Sequence, residues 1–254
     1  GVRFGFGAGV EPQLHAAFEA RFGLPLIEVW GMTEMVRVLN DSVAPRQIGT
    51  RAFGRPQPGV EIRVVDDHDR EVPAGTPGEM TLRHSAATPR RGAFSGYLKN
   101  AEETERSWRG GWFHTGDVVR QDADGMLHFV ERRKNIIRRS GENIAAAEVE
   151  ATLLEHPGVM QVAVLAAPDE VREEEVLACV VPRTGEGSEV LADELFQLCF
   201  ERLAYFKAPG WIWFAPSLPT TGTQKIQKHA IFPGLDDPRT AAGMRDFRAR
   251  KRRG

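Results

Sequence analysis

The period of the hydrophobic pattern changes near residues 131–134, and no single layer of secondary structure can use both halves. From about 54 to 131, "VEIRVVD", "GEMTLR" and "DVVRQDADGMLHFVE" alternate apolar and polar positions, the spacing of strands with one buried face. The last of these reads as a hairpin turning at Asp122-Ala123-Asp124-Gly125. Beyond 132, helical spacing and apolar runs take turns. "AAAEVEATLLEHPG" sets Val149, Leu153 and Leu154 inward and stops at Pro-Gly. "VMQVAVLAAP", "VLACVVP" and "WIWFAP" read as strands, and "LADELFQLCFERLAYF" as a helix with Leu195, Leu198, Cys199 and Leu203 on one face. Ahead of both regions, "VRFGFGAG", "EPQLHAAFEARFG" and "PLIEVW" read as strand, helix and strand. That helix carries Leu14, Ala17, Phe18 and Arg21-Phe22 at helical spacing, and the second strand ends at Gly31. The expectation is an α/β and α+β chain with domains at 1–131 and 132–237, followed by a basic tail at 238–254. The last ten residues hold six cations and no core pattern, so the tail is expected to be solvated and disordered.

The junction itself is the stretch "ERRKNIIRRSGENI", which crowds Arg132, Arg133, Lys134, Arg138 and Arg139 ahead of a Ser-Gly. Such a run is either an anionic-surface patch or a set of charges placed one by one. A net charge of -2 and the lack of interleaved aromatics argue against nucleic acid. With 254 residues, 41% hydrophobic and 27% charged, the composition is that of a globular protein with a real core. Cys179 and Cys199 sit in apolar surroundings without metal or redox spacing, as inert core residues of a reducing compartment do. No apolar run is long enough to span a bilayer. The acidic turn at 122–125 opens like a calcium loop, but Met126 takes the next ligand position, which leaves an ordinary hairpin turn.

Four stretches carry residue types that composition does not explain. "WGMTE" follows a strand directly and offers an aromatic face at Trp30, close backbone approach at Gly31, a hydroxyl at Thr33 and a carboxylate at Glu34. Those groups could meet a base, a phosphate and Mg²⁺, although a strand followed by Thr-Glu also makes a helix cap. "GWFHTGD" puts Asp117 at the head of a strand, where an ionised carboxylate could accept from paired hydroxyls or simply form a turn. The opening "FGAG" is a third, and "LPTTGTQKIQK", which presents Lys225 just before Ile226, is the fourth.

Together and in this order, these stretches resemble the superfamily of ATP-dependent, AMP-forming adenylating enzymes, which includes acyl-CoA synthetases. The resemblance runs from 7 to about 232 and extends to connecting pieces such as "GRPQPGVEIRVVD" and "GYLKNAEET". It implies the C-terminal part of a large AMP-binding domain, strand-rich and barrel-like, followed by a small mobile α/β domain. It implies roles residue by residue: Gly7, Ala8 and Gly9 beside the adenine, Trp30 in place of the usual tyrosine, and Thr33 and Glu34 at phosphate and Mg²⁺. Asp117 and Arg132 match the ribose ligands, and Lys134 the hinge. Ser140, Gly141 and Glu142 match the loop that borders the CoA tunnel, and Lys225 the lysine of adenylation. ATP or AMP, Mg²⁺ and coenzyme A are the implied cofactors, with a small carboxylate as substrate. The resemblance also implies a cytoplasmic setting and leaves room for a homodimer.

The sequence departs from the family at Asn135, Ala146 and Gln224, where an acidic residue, a proline and a glycine are usual. It also contains no Ser/Thr/Gly-rich loop ending in Pro-Lys-Gly, the stretch that wraps the ATP phosphates in the family. The expectation is therefore roughly the C-terminal half of a synthetase, inactive or weakly active alone. A non-catalytic AMP- or CoA-binding module, or the partner of a separate N-terminal half, is the alternative.

Overall fold

Helical spacing between two short apolar runs produces a strand–helix–strand at the start of the chain. In the computed structural model, which describes residues 1–222 and 224–251 with the side chains of 36–38 excepted, these are β1 (Gly5–Gly7), α1 (Pro12–Phe22) and β2 (Leu26–Met32). β1 and β2 pair in parallel, as a crossover through a helix allows. Pro12 opens α1, where a missing N–H breaks no intrahelical bond, and Gly23 closes it at φ 64°. The buried side of α1 differs from its apolar spacing. His15 turns inward because its ring meets Leu26 O (2.6 Å) and the Gly49 amide (3.2 Å), while Leu14 and Phe22 are 64% and 55% exposed.

The strand expected to end at Gly31 runs on to Met32, turns at Thr33-Glu34 and returns as β3 (Met35–Asn40). The alternating stretches then build one sheet from β4 (Ala52–Gly54), β5 (Glu61–Val65), β6 (Gly78–Arg83), β7 (Phe113–Gln121) and β8 (Leu127–Arg132). Its order is β4-β8-β7-β6-β5, all antiparallel. The sheet is open: among the described residues no pairing joins β4 to β5. Between β6 and β7, α2 (Ala101–Ser107) is capped by Asn100, whose side chain accepts from the Glu103 amide. One core joins Trp30, Met35 and Leu39 to Phe53, Val64, Met80, Leu82, Phe113, Val119 and Leu127. The β7–β8 turn closes with the Gly125 amide on Asp122 O (2.9 Å), and Arg120 and Arg55 neutralise Asp122 and Asp124.

Contacts divide the chain into Gly1–Arg133 and Lys134–Gly254. The second unit contains β9 (Ile136–Arg139), β10 (Glu142–Ala145), α3 (Ala146–Leu154), β11 (Val159–Asp169), β12 (Glu173–Pro182), α4 (Glu189–Arg202), β13 (Trp211–Phe214) and β14 (Arg245–Asp246). The sheet order is β10-β9-β12-β13-β14, with β11 also on β12. "VLACVVP" is apolar without alternation because β12 is covered on both faces. Val176, Ala178 and Val180 meet α3 and α4, while Leu177, Cys179 and Val181 face Leu218 and Ile231. Burial pushes the Cys199 thiol up to about 12 and Cys179 higher still, so both are inert. Leu154, expected inward, is exposed, because Leu153 already fills the core position of that turn. α4 stops at Arg202, short of the helical pattern, and Tyr205–Lys207 is a separate 3₁₀ turn.

The expectation of a disordered tail is corrected up to Lys251. β14 pairs with β13, and Phe247 is buried and stacked on Phe196 at 5.2 Å. Arg248 joins Asp246 (2.8 Å) and Asp169 (3.0 Å) and lies over Trp211. Arg245 pairs with Glu189 and Arg250 with Asp193, so the basic composition hides a packed strap. Residues 252–254 of the expected tail lie outside the described residues. No helix among the described residues is long and apolar enough to cross a membrane.

Candidate functional site

Alternation along β7 turns Phe113, Thr115, Asp117 and Val119 to the same buried side. Asp117 is therefore a carboxylate in an apolar row, 1% exposed. The Trp30 indole N–H donates to its Oδ2 at 2.8 Å, and Arg132, directly opposite in the β7–β8 register, brings Nε to 2.7 Å of Oδ1. That contact is an ion pair without hydrogen-bond alignment, and Oδ1 has no hydrogen-bond donor. Thr115 holds the local backbone, accepting from the Asp117 amide (3.0 Å) and donating to Met80 O (2.7 Å). Burial pushes the Asp117 carboxyl above its usual range, and Trp30 and Arg132 pull only part of the way back. The base-stacking expectation for Trp30 meets a correction here: the ring is 6% exposed, beside Phe53, and its polar edge serves Asp117.

Gly31 and Thr33 are exposed and Glu34 is half-buried around the β2–β3 turn. The Tyr97 hydroxyl donates to Glu34 Oε1 at 3.1 Å, and the Tyr97 amide is itself held by Thr104 Oγ1 at 2.9 Å. Burial and the Glu34 charge push the phenol up to about 12, so it stays a donor. Tyr97 lies in "GYLKNAEET", and nothing in that stretch alone marks it as a partner of Glu34. A magnesium ion would find one carboxylate here; among the described residues no group of three or more His, Cys, Asp and Glu could hold a metal. Glu34 could bind Mg²⁺ only together with phosphate oxygens and water, which is how that ion is usually held.

Gly7 ends β1, and Ala8 and Gly9 form an exposed turn with Gly9 at φ 74°. Glu28, buried on β2, accepts the Gly9 amide at 2.6 Å and the Val10 amide at 3.1 Å. Burial raises its pKa, and those two amides partly offset the rise. Glu28 thus fixes the turn from below, two residues before Trp30. A glutamate inside the apolar run "PLIEVW" was the signal for it.

The basic run divides. Arg133 binds Glu79 and Asp67, both at 2.6 Å. Burial would raise the Glu79 carboxyl, but His114, Arg133 and the Gly116 amide bring it down to about 2. Arg133 therefore clamps the end of the first unit to β6, and Lys134, exposed, begins the second.

In the second unit, Ser140 (φ 49°) and Gly141 (φ 83°) form the tip of the β9–β10 hairpin, with Arg139 opposite Glu142. Positive φ at both central residues is what a type I′ turn demands. The Ser140 amide is tied to Arg172 O (3.0 Å), and Ser140, Gly141 and Glu142 are all exposed. Lys225 is exposed on a tight loop: the Thr221 amide donates to Lys225 O (2.8 Å) and the Lys225 amide to Thr221 Oγ1 (3.2 Å). Gln224 sits at φ 64°, a conformation that glycine adopts without strain. Downstream, Ile226 packs in the cluster around Leu177, and Lys228 pairs with Glu150 at 2.8 Å. The hairpin, through Ile137 and Ile144, packs instead in the cluster around Val176. The two loops are thus anchored on opposite faces of β12.

Residues 1–98 match the AMP-binding enzyme family and residues 148–225 the AMP-binding enzyme C-terminal domain. A probable CoA ligase of Humulus lupulus is 36% identical over 226 residues, covering 88% of this chain and 41% of that protein. The oxalate–CoA ligase of Arabidopsis thaliana is 33% identical, covering 88% of this chain and 42% of its own. Among solved structures, an anthranilate CoA ligase in complex with anthranoyl-AMP aligns at TM-score 0.74 and 31% identity, over 90% of this chain and 43% of that one. The chain thus spans about two-fifths of the length of these relatives.

Proposed function

Because the chain belongs to the AMP-binding enzyme family, we propose that it carries the ribose clamp, the adenylation lysine and the thioester turn of an ATP-dependent acyl-CoA synthetase. Such an enzyme joins a carboxylate to the α-phosphate of ATP, releasing pyrophosphate, and then passes the acyl group to the CoA thiol with release of AMP. The observation that carries the reading is Asp117 Oδ1, a buried carboxylate oxygen with a cation beside it and no hydrogen-bond donor. Hydroxyl donors of a ribose would complete it.

The other assignments follow from chemistry. Attack of a carboxylate on a phosphate gathers negative oxygens, and Mg²⁺ at Glu34 would neutralise part of that charge. Lys225 supplies an ammonium from its loop, with a strength that grows as water is excluded. Gly141 leaves the hairpin tip without a side chain, as close passage of a pantetheine arm requires. The separate anchoring of the two loops supports their use in separate half-reactions, with Lys134 as the pivot. The substrate is a small carboxylic acid. The relatives' own acids differ, oxalate in one and anthranilate in another.

Calorimetric titration tests the clamp directly. The chain should bind AMP about tenfold more tightly than 2′,3′-dideoxy-AMP, about 1.4 kcal/mol, and Asp117→Asn should erase the difference. Equal binding of both nucleotides by the unaltered chain refutes it. In the whole synthetase, Lys225→Ala should stop adenylation and spare thioester formation from supplied acyl-AMP, with Gly141→Leu doing the reverse. Equal loss in both steps would refute the two roles.

A further inference from the structure

Lys251, near the end of the basic stretch, is among the most buried charged residues of the chain. Its Nζ donates to Glu175 Oε1 at 2.5 Å and to Phe206 O at 2.9 Å. Glu175 is fully buried, and its Oε1 also accepts the Val176 amide (2.8 Å) while Oε2 takes Arg139 Nε (2.8 Å). One buried carboxylate thus serves two buried cations. Arg139 Nη2 has no hydrogen-bond partner, so Nε alone ties this guanidinium to Glu175. The arrangement depends on Gly210: a Cβ there would lie 2.3 Å from Glu175 Cγ.

Stability does not account for this lysine. Burying a second cation against one carboxylate is expensive, and an apolar side chain of similar length would be cheaper. Burial holds the Lys251 ammonium down to about 8, against the pull of Glu175. The strap does not need it for attachment, since β14 and Phe247 already secure that segment. What Lys251 does reach, through one shared carboxylate, is the residue immediately before the Ser140-Gly141 turn.

We propose that Lys251 is a positioning residue for the Ser140-Gly141 turn: it fixes Glu175, Glu175 orients Arg139, and Arg139 sets the hairpin tip. The catalytic consequence rests on the reading of that turn as the thioester loop, whereas the positioning itself does not. Two substitutions disturb the clamp by different means. Lys251→Met removes the ammonium and leaves Glu175 paired with Arg139, so no charge is orphaned. Gly210→Ala pushes Glu175 aside without changing any charge.

The test is amide exchange on the whole chain, followed residue by residue. In both variants, amides of 136–145 should exchange about tenfold faster, Ser140 foremost, while those of β11 and α4 keep their rates. Unchanged or slower hairpin exchange, or equal acceleration across the second unit, would overturn the proposal. In the whole synthetase, Lys251→Met should also slow thioester formation from supplied acyl-AMP about tenfold and leave adenylation intact. Local loosening with an undisturbed thioester step would uphold the positioning and remove the thioester role from the turn.

Discussion

Replacing Trp30 by Phe removes one N–H and keeps most of the ring, which isolates its bond to Asp117. The bond is 2.8 Å long and joins an indole to a carboxylate with 1% exposure. A hydrogen bond to a charged group contributes about 2 kcal/mol, and the smaller ring gives up about 1 kcal/mol of apolar burial. Trp30→Phe should therefore cost about 3 kcal/mol at pH 7. Asp117→Asn keeps an acceptor but removes its charge, so in a double-mutant cycle about 1 kcal/mol should appear as coupling. Urea-unfolding midpoints at constant m provide the measurement.

The pH dependence has a definite sign. The folded Asp117 carboxyl titrates above its ordinary 3.8, so between those values the folded chain binds the proton that the unfolded chain has lost. Stability from this group falls as pH rises through that interval. Losing the indole N–H raises the folded value further and widens the interval upward. The gap between wild type and Trp30→Phe should be smallest near pH 3.5 and grow toward neutrality. Additive single effects, or a gap independent of pH, would show that the indole serves only as packing.

Two further outcomes concern backbone and charge. Gln224→Gly should stabilise the second unit by about 1 kcal/mol, because φ 64° strains a residue with a Cβ; a lower melting temperature would count against the loop geometry. Glu79→Gln should cost about 3 kcal/mol at pH 7, the equivalent of holding the carboxyl at about 2 rather than 4.5. The wild-type contribution is fully present above 4.5 and is lost as pH falls through about 2, so the two proteins should converge in acid. Parallel stability curves down to pH 2 would exclude Glu79 as the anchor of Arg133.

What could be read from the sequence was what depends on near neighbours. The β7–β8 hairpin announces itself by alternation and a four-residue turn, and β12 by an unbroken apolar run. The partners of the site are a different matter. Trp30 and Asp117 lie 87 residues apart, and Glu34 and Tyr97 lie 63 apart. A lone aromatic carries no local sign of which polar group it will meet, so the sequence points Trp30 to a base and marks no partner for Tyr97. The tail hides its packing for the same reason, since a row of cations looks solvated until Asp169 and Glu175 are folded against it. α1 shows the converse, where a histidine with two backbone partners displaces the apolar face from the interior.

The tryptophan at position 30 also changes what Asp117 can do. A hydroxyl in its place could donate or accept and could turn away, whereas an indole N–H only donates. Its neighbour Asp117, once ionised, only accepts, so the pair then has a single arrangement. Arg132 approaches the other oxygen as a charge without taking its lone pairs by an aligned bond. One oxygen is thereby fixed and the other is left open beside a cation, against a burial that favours the neutral acid. A carboxylate so divided is oriented before any ligand arrives, and the reorganisation that a freely rotating Asp would require is already complete in the folded chain.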